Sequence, residues 1–198
     1  MNEATNLPTL FDQTFAAHRD VRYHQARAAW LLWSDQALTV VTLLASSSAV
    51  ASLFAAAPET GRNLIAIWFA IGASALGLMQ LVYGPAKLAA YHTRKSQEYS
   101  ALLVDLEEQG DTTADLKRIN RRVKEIEKDE IDYHRIVDLV AHNEAAQHLD
   151  LPATERYVVG RIQGALRHVW KFTKHQAVPQ ATANCDTQPP PKGNHAPA

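Results

Sequence analysis

The side chains best spaced for joint chemistry lie inside an apolar stretch. Asp35, Thr39, Thr42 and Ser46 follow at steps of four, three and four, and Ala49 and Leu53 extend the row. With 3.6 residues per helical turn, such a row shares one face. It is polar at one end and small towards its middle. Hydroxyls along it offer hydration to a conducting path, with Asp35 near the mouth. A second row, Ala66, Ala70, Ala73, Gly77, Gln80 and Gly84, steps by four and three as well. Small residues in such a row let helix backbones approach closely in lipid. Gln80 is the one strongly polar side chain deep in this stretch, and a buried amide bonds across to another helix or faces water. Two readings stand. Ala70, Ala73, Gly77 and Gly84 pack helices within one chain, or Asp35, Thr39, Thr42, Ser46 and Gln80 line a pore formed when several copies assemble. Two helices alone enclose no aqueous path, so conduction requires a homo-oligomer.

Other chemistry finds little support. His134, His142 and His148, with Glu144 nearby, invite a metal site, but none of these histidines is three or four residues from another. They read as surface histidines. No phosphate-cradling glycine loop, CxxC pair, HExxH or GxSxG is present. No enzyme activity, catalytic residue, cofactor or metal is expected. Cys185 is the sole cysteine, so no internal disulfide forms, and the net charge of -1 gives no argument for nucleic acid.

Residues 36–58 contain no charged side chain, and neither do residues 63–86. Roughly 20 helical residues cross the hydrocarbon core. Spans are therefore expected at about 36–57 and 64–86, joined by a tight polar turn that holds Pro58, Glu59, Gly61 and Arg62. A pair of buried helices in a soluble bundle is the alternative. Such helices show a polar stripe, whereas the polar residues after Gln36 in the first run are hydroxyls that can bond back to their own helix. Arg19, Arg22 and Arg27 precede the first span and Lys87, Arg94 and Lys95 follow the second, which predicts an inner-membrane protein with both termini cytoplasmic. Residues 1–20 lack the pattern of a cleaved signal peptide.

The expected fold class is thus an all-α membrane protein, a two-helix transmembrane hairpin with flanking cytoplasmic helices forming a bundle. Residues 1–35 supply an N-terminal cytoplasmic or interfacial helix. An amphipathic turn begins at Leu7, a helix enters the membrane over residues 18–33, and Tyr23, Trp30 and Trp33 sit near headgroup level. The hairpin occupies residues 36–86, with a kink at Gly84-Pro85. Residues 87–150 read as a cytoplasmic helical hairpin. Its first helix stops at Gly110. A capping box at Thr112–Asp115 starts the next, whose Leu116, Ile119, Val123, Ile126, Tyr133, Val137 and Val140 follow a heptad grid with Glu130 off pattern. Beyond Leu151-Pro152, residues 151–175 read as a basic amphipathic helix, for an anionic leaflet or an acidic face of the bundle. Residues 176–198 form a disordered tail.

Two spans with a minimal outer loop, flanked by cytoplasmic helices, resemble the SLATT family of two-transmembrane effectors in bacterial conflict systems. The resemblance rests on Tyr23, Arg27 and Trp30 in the entering helix, the small-residue spans, and Tyr91 with Tyr99-x-x-Leu102-Leu103-x-x-Leu106 in the exiting helix. It covers residues 15–140 and implies a pore-forming effector that permeabilises or depolarises the inner membrane during abortive antiviral defence. It also implies a sensor or nucleotide-signalling partner protein, which the cytoplasmic helices would receive. A non-conducting membrane-anchored scaffold that binds a partner is the alternative.

Overall fold

The computed structural model describes residues 8–54, 60–108, 112–130 and 133–170. Pro58 and Glu59 of the expected turn, Gly110, residues 171–175 and the 176–198 tail lie outside them. All regular structure among the described residues is helical, with no strand. The helices are α1 (Leu10–Phe54), α2 (Thr60–Tyr83), α3 (Pro85–Glu107), α4 (Thr113–Glu127), α5 (Arg135–His148) and α6 (Arg161–Leu166), with a 3-10 turn at Ala153–Glu155.

α1 is one uninterrupted helix of 45 residues, more than twice what a bilayer requires. The expected separate N-terminal turn is its first turn. Thr9 and Asp12 close it reciprocally: the Asp12 amide donates to Thr9 Oγ1 (3.1 Å) and the Thr9 amide to Asp12 Oδ2 (3.0 Å). α2 begins at Thr60, four residues before the expected span, so Thr60 to Asn63 belong to a helix and not to the turn. α2 ends at Tyr83, and Gly84 takes a φ of +50°, the left-handed region where a side chain is disfavoured. Pro85 then opens α3 with its ring at the position that needs no donor. The expected kink is a full break between two helices.

The chain divides into two compact units, Met1–Tyr23 with Glu98–Ala198, and His24–Gln97. The first has a core of Ala17 and Val21 from α1, Tyr99, Leu102 and Leu106 from α3, and Ile119 and Ile126 from α4. Steps of three, four and seven place each set on one helix face. The Thr112–Asp115 cap forms as expected, the Asp115 amide donating to Thr112 Oγ1.

The heptad grid does not run through. α4 ends at Glu127 and α5 starts at Arg135, so residues 116–140 are two helices. Glu130, the off-pattern position, is where the path turns: its amide reaches the Glu127 carbonyl and its carboxylate accepts the Tyr99 hydroxyl at 2.9 Å. A carboxylate on a core stripe is better served by leaving the helix than by burial on it. α5 then ends in a Schellman turn, with Leu151 N–H to Ala146 O and Asp150 N–H to Gln147 O, and Asp150 at φ 52°.

The basic helix expected beyond Pro152 is reduced to six residues. Asn143 holds Tyr157 by two bonds, Nδ2 to its carbonyl (2.8 Å) and its amide to Oδ1 (2.7 Å), which keeps this stretch extended. β-branched Val158 and Val159 and the flanking Gly160 favour that form over helix. Asp150 makes a direct prediction. Asp150→Gly relieves the left-handed backbone and should raise unfolding stability by about 0.5–1 kcal/mol, read as a Tm increase of about 1–4 °C in detergent.

Candidate functional site

In the unit His24–Gln97, Gln80 of α2 is tied to α1. Its Nε2 donates to Thr39 Oγ1 at 2.9 Å and to the Asp35 carbonyl at 3.3 Å. Thr39 Oγ1 in turn donates to the same Asp35 carbonyl at 2.9 Å. Of the alternatives for Gln80, the structure realises the bond across to another helix. Ser46 donates to Thr42 O, Ser47 to Leu43 O and Ser48 to Leu44 O, each at 2.8 Å, the expected back-bonding. Thr42 is the exception, because its Oγ1 is buried without a hydrogen-bond partner.

The small-residue row is used unevenly within the chain. Ala73 is buried, Ala70 is exposed, and Gly77 is half-buried with nothing within 4 Å of where a Cβ would stand. Gly84 serves the break between α2 and α3. Around this row the surface is apolar: Leu43, Trp68, Leu78, Leu81 and Val82 are all exposed, the last two by about four-fifths. Two stretches, Leu10–Ser48 and Ile67–Glu107, hold helix long and apolar enough to cross a membrane. Only 11% and 6% of their apolar windows are buried inside the protein. A soluble core helix hides such a window, and these do not.

A second cluster was not singled out by sequence. His24 of α1 and His92 of α3, both buried, place their Nδ1 atoms 2.8 Å apart. One ring must donate and the other accept, so the two cannot both be imidazolium in this geometry. Tyr91 meets the edge of His24, Lys95 Nζ lies 6.0 Å from the Tyr91 ring, and Arg27 sits 5.6 Å from the Trp30 ring. The two histidines lie 68 positions apart, so no local spacing announces them.

A third cluster lies in the other unit. Arg19 contacts Asp20 at 2.9 Å and Asp138 at 3.3 Å. Burial pushes the Asp20 carboxyl up to about 6, against the opposing pull of Arg19. Burial also works against the Arg19 charge, yet Asp20 and Asp138 together hold the guanidinium protonated more firmly than usual. Tyr133, bonded to Asp138, is raised by burial and by that carboxylate. Tyr23 is buried within this unit: its hydroxyl accepts the His134 amide at 3.0 Å and its ring stacks on Tyr133. A cavity of about 230 Å³ lined by Gln13, Asp20, Tyr99 and Lys124 adjoins this cluster, below the roughly 300–1,000 Å³ of ordinary small-molecule sites.

The histidines considered for metal are dispersed. His134 is buried, which corrects the surface reading. His142 lies between Phe15 and Tyr157, and His148 meets His18. Among the described residues no group of three or more His, Cys, Asp or Glu could hold a metal ion. No protein-family model, curated protein or solved structure matches the chain.

Two predictions follow from these geometries. Thr39→Val should cost about 1 kcal/mol of stability by unbinding Gln80, whereas Thr42→Val removes an unsatisfied hydroxyl and should be neutral or stabilising. Thermal unfolding of both variants in one detergent tests the contrast. For Asp20, a raised folded pKa means that the folded protein keeps a proton the unfolded chain has lost. Stability therefore falls as pH rises from about 3.8 to about 6 and is flat beyond. Relative to Asp20→Asn, which does not titrate, the wild type should lose up to about 3 kcal/mol across that window. Parallel pH-dependent unfolding curves for the two proteins would contradict it.

Proposed function

We propose that the chain is a multi-pass membrane protein whose copies assemble to conduct ions and depolarise the inner membrane, as the resemblance to SLATT effectors implies. α1 and α2 form a transmembrane hairpin, both termini face the cytoplasm, and the remaining helices form a cytoplasmic bundle for assembly and control. One observation carries the reading: large apolar side chains along the described parts of α1 and α2, among them Leu43, Leu44, Trp68, Leu81 and Val82, are exposed, and so are Ser46, Ser47 and Ser48. Lipid satisfies the first kind of surface, and a hydrated path between copies satisfies the second. In abortive antiviral defence a sensor or nucleotide-signalling partner would release this conductance through the cytoplasmic helices.

A non-conducting anchor for a partner-binding module is the second reading. It draws support from Gln80, whose amide nitrogen is engaged by Thr39 and the Asp35 carbonyl and so donates to no path.

The test is membrane potential in bacteria after induced expression, followed with a voltage-sensitive dye alongside growth. Depolarisation should precede growth arrest and should be lost, with membrane insertion retained, in Ser46→Leu. Equal depolarisation by that variant would remove this face from the path. Activity that survives exchange of the hairpin for an unrelated apolar one would establish the anchor.

A further inference from the structure

The end of the described chain carries a feature that the proposed conductance does not use. α6 is short, but its turns continue, with Trp170 N–H reaching the Leu166 carbonyl at 2.9 Å. Ile162 and Leu166 are four apart on α6, and the turn that follows, with Val169 and Trp170 N–H both reaching the Leu166 carbonyl, carries Val169 and Trp170 directly beyond them. All four are exposed, Ile162 by 75% and Trp170 by 64%. The face is held in place: Asn143 fixes Tyr157 upstream, and the Gly160 amide donates to Gln163 Oε1 at the helix start.

Charge distinguishes what could cover it. Residues 156–170 contain Arg156, Arg161 and Arg167 and no acidic residue. The segment thus carries +3 in a chain of net charge -1, which leaves -4 for the rest. Lys171 and Lys174 follow directly in sequence. A second copy of the same face would bring two such cationic segments together and repel. An apolar ridge with an exposed tryptophan and flanking arginines suits the boundary between headgroups and acyl chains, where the ring is half wetted and arginine reaches phosphate.

We infer that the 161–170 face docks on the anionic phospholipid surface of the bilayer. The chain already carries two helices fit to cross that bilayer, so the surface is present at high local concentration. Ile162, Leu166, Val169 and Trp170 enter the acyl boundary while the exposed Arg161 engages lipid phosphates, joined by Arg167, whose Nε donates to His168 Nε2 and whose terminal nitrogens reach outward.

The experiment uses the full chain in lipid nanodiscs, with Cys185→Ser and Ile162→Cys carrying an environment-sensitive fluorophore. Nanodiscs contain phosphatidylcholine alone or mixed with phosphatidylglycerol. With phosphatidylglycerol the emission should shift to the blue and be quenched by spin-labelled lipid. Added Arg161→Gln and Arg167→Gln should each weaken docking about fivefold. Four results overturn the inference. Quenching by aqueous iodide in both compositions would show a solvent-facing segment. Equal lipid quenching in both would show insertion without charge recognition. Shielding from both quenchers would show that protein covers the face. Lipid quenching undiminished by the arginine substitutions would remove the assigned contacts.

Discussion

A side-chain amide held within an apolar helix must find a partner, and Gln80 finds two on α1. Its bonds to Thr39 and to the Asp35 carbonyl set the start of the first apolar run level with the end of the second. Four residues beyond Gln80, Gly84 and Pro85 end α2. The same level is therefore marked twice, by a polar link and by a helix break. With that register fixed, large apolar side chains such as Leu43, Leu44, Trp68, Leu81 and Val82 stay exposed, while Val21 and Leu31 of α1 are buried. In lipid there is no hydrophobic drive to bring helices together, so a polar link of this kind carries more of the specificity than it would in water.

The same constraint shapes the remaining polar groups. Ser46, Ser47, Ser48 and Ser74 donate to the carbonyl four residues back, which lets hydroxyls occupy an apolar helix without any tertiary partner. His24 and His92 use each other. Arg19 is shared by Asp20 and Asp138, although one of those carboxyls is buried enough to hold a proton well above its ordinary range. Tyr99, in the apolar core of its unit, sends its hydroxyl to Glu130. For the buried histidines, Asp20 and Tyr99, burial was affordable because a partner stood within hydrogen-bond reach.

What was legible in the sequence is what local chemistry decides. Two charge-free runs, the cap at Thr112 and the Gly84-Pro85 break each act through neighbours in sequence, and the need of Gln80 for a partner follows from its amide alone. What was missed depends on distant contacts. His24 and His92 become a pair only when α1 and α3 meet. Residues 153–160 read as part of a helix by their apolar spacing, although Val158, Val159 and Gly160 weaken that form, and Asn143 then offers Tyr157 the two bonds a strand neighbour would offer. Glu130 shows a third kind of failure. Its misfit with the heptad grid was visible, yet a carboxylate among core positions marks the end of a helix more readily than a flaw inside one.

The hydroxyl face of α1 divides into two parts with different capacities. At Thr39 the hydroxyl both donates, to Asp35 O, and accepts, from Gln80, so that level is closed by bonds within the chain. Ser46 uses its proton on the Thr42 carbonyl, which leaves oxygen lone pairs free to accept. Acceptors aimed outward are what a water column or a hydrated cation needs, and a serine that has already spent its proton offers little else. In the proposed assembly the conducting surface therefore starts beyond the Gln80 link, on the serine-rich stretch of α1. The link itself holds α2 against the Thr39 level of the same helix face, so the proposed path is confined to the serine level beyond it.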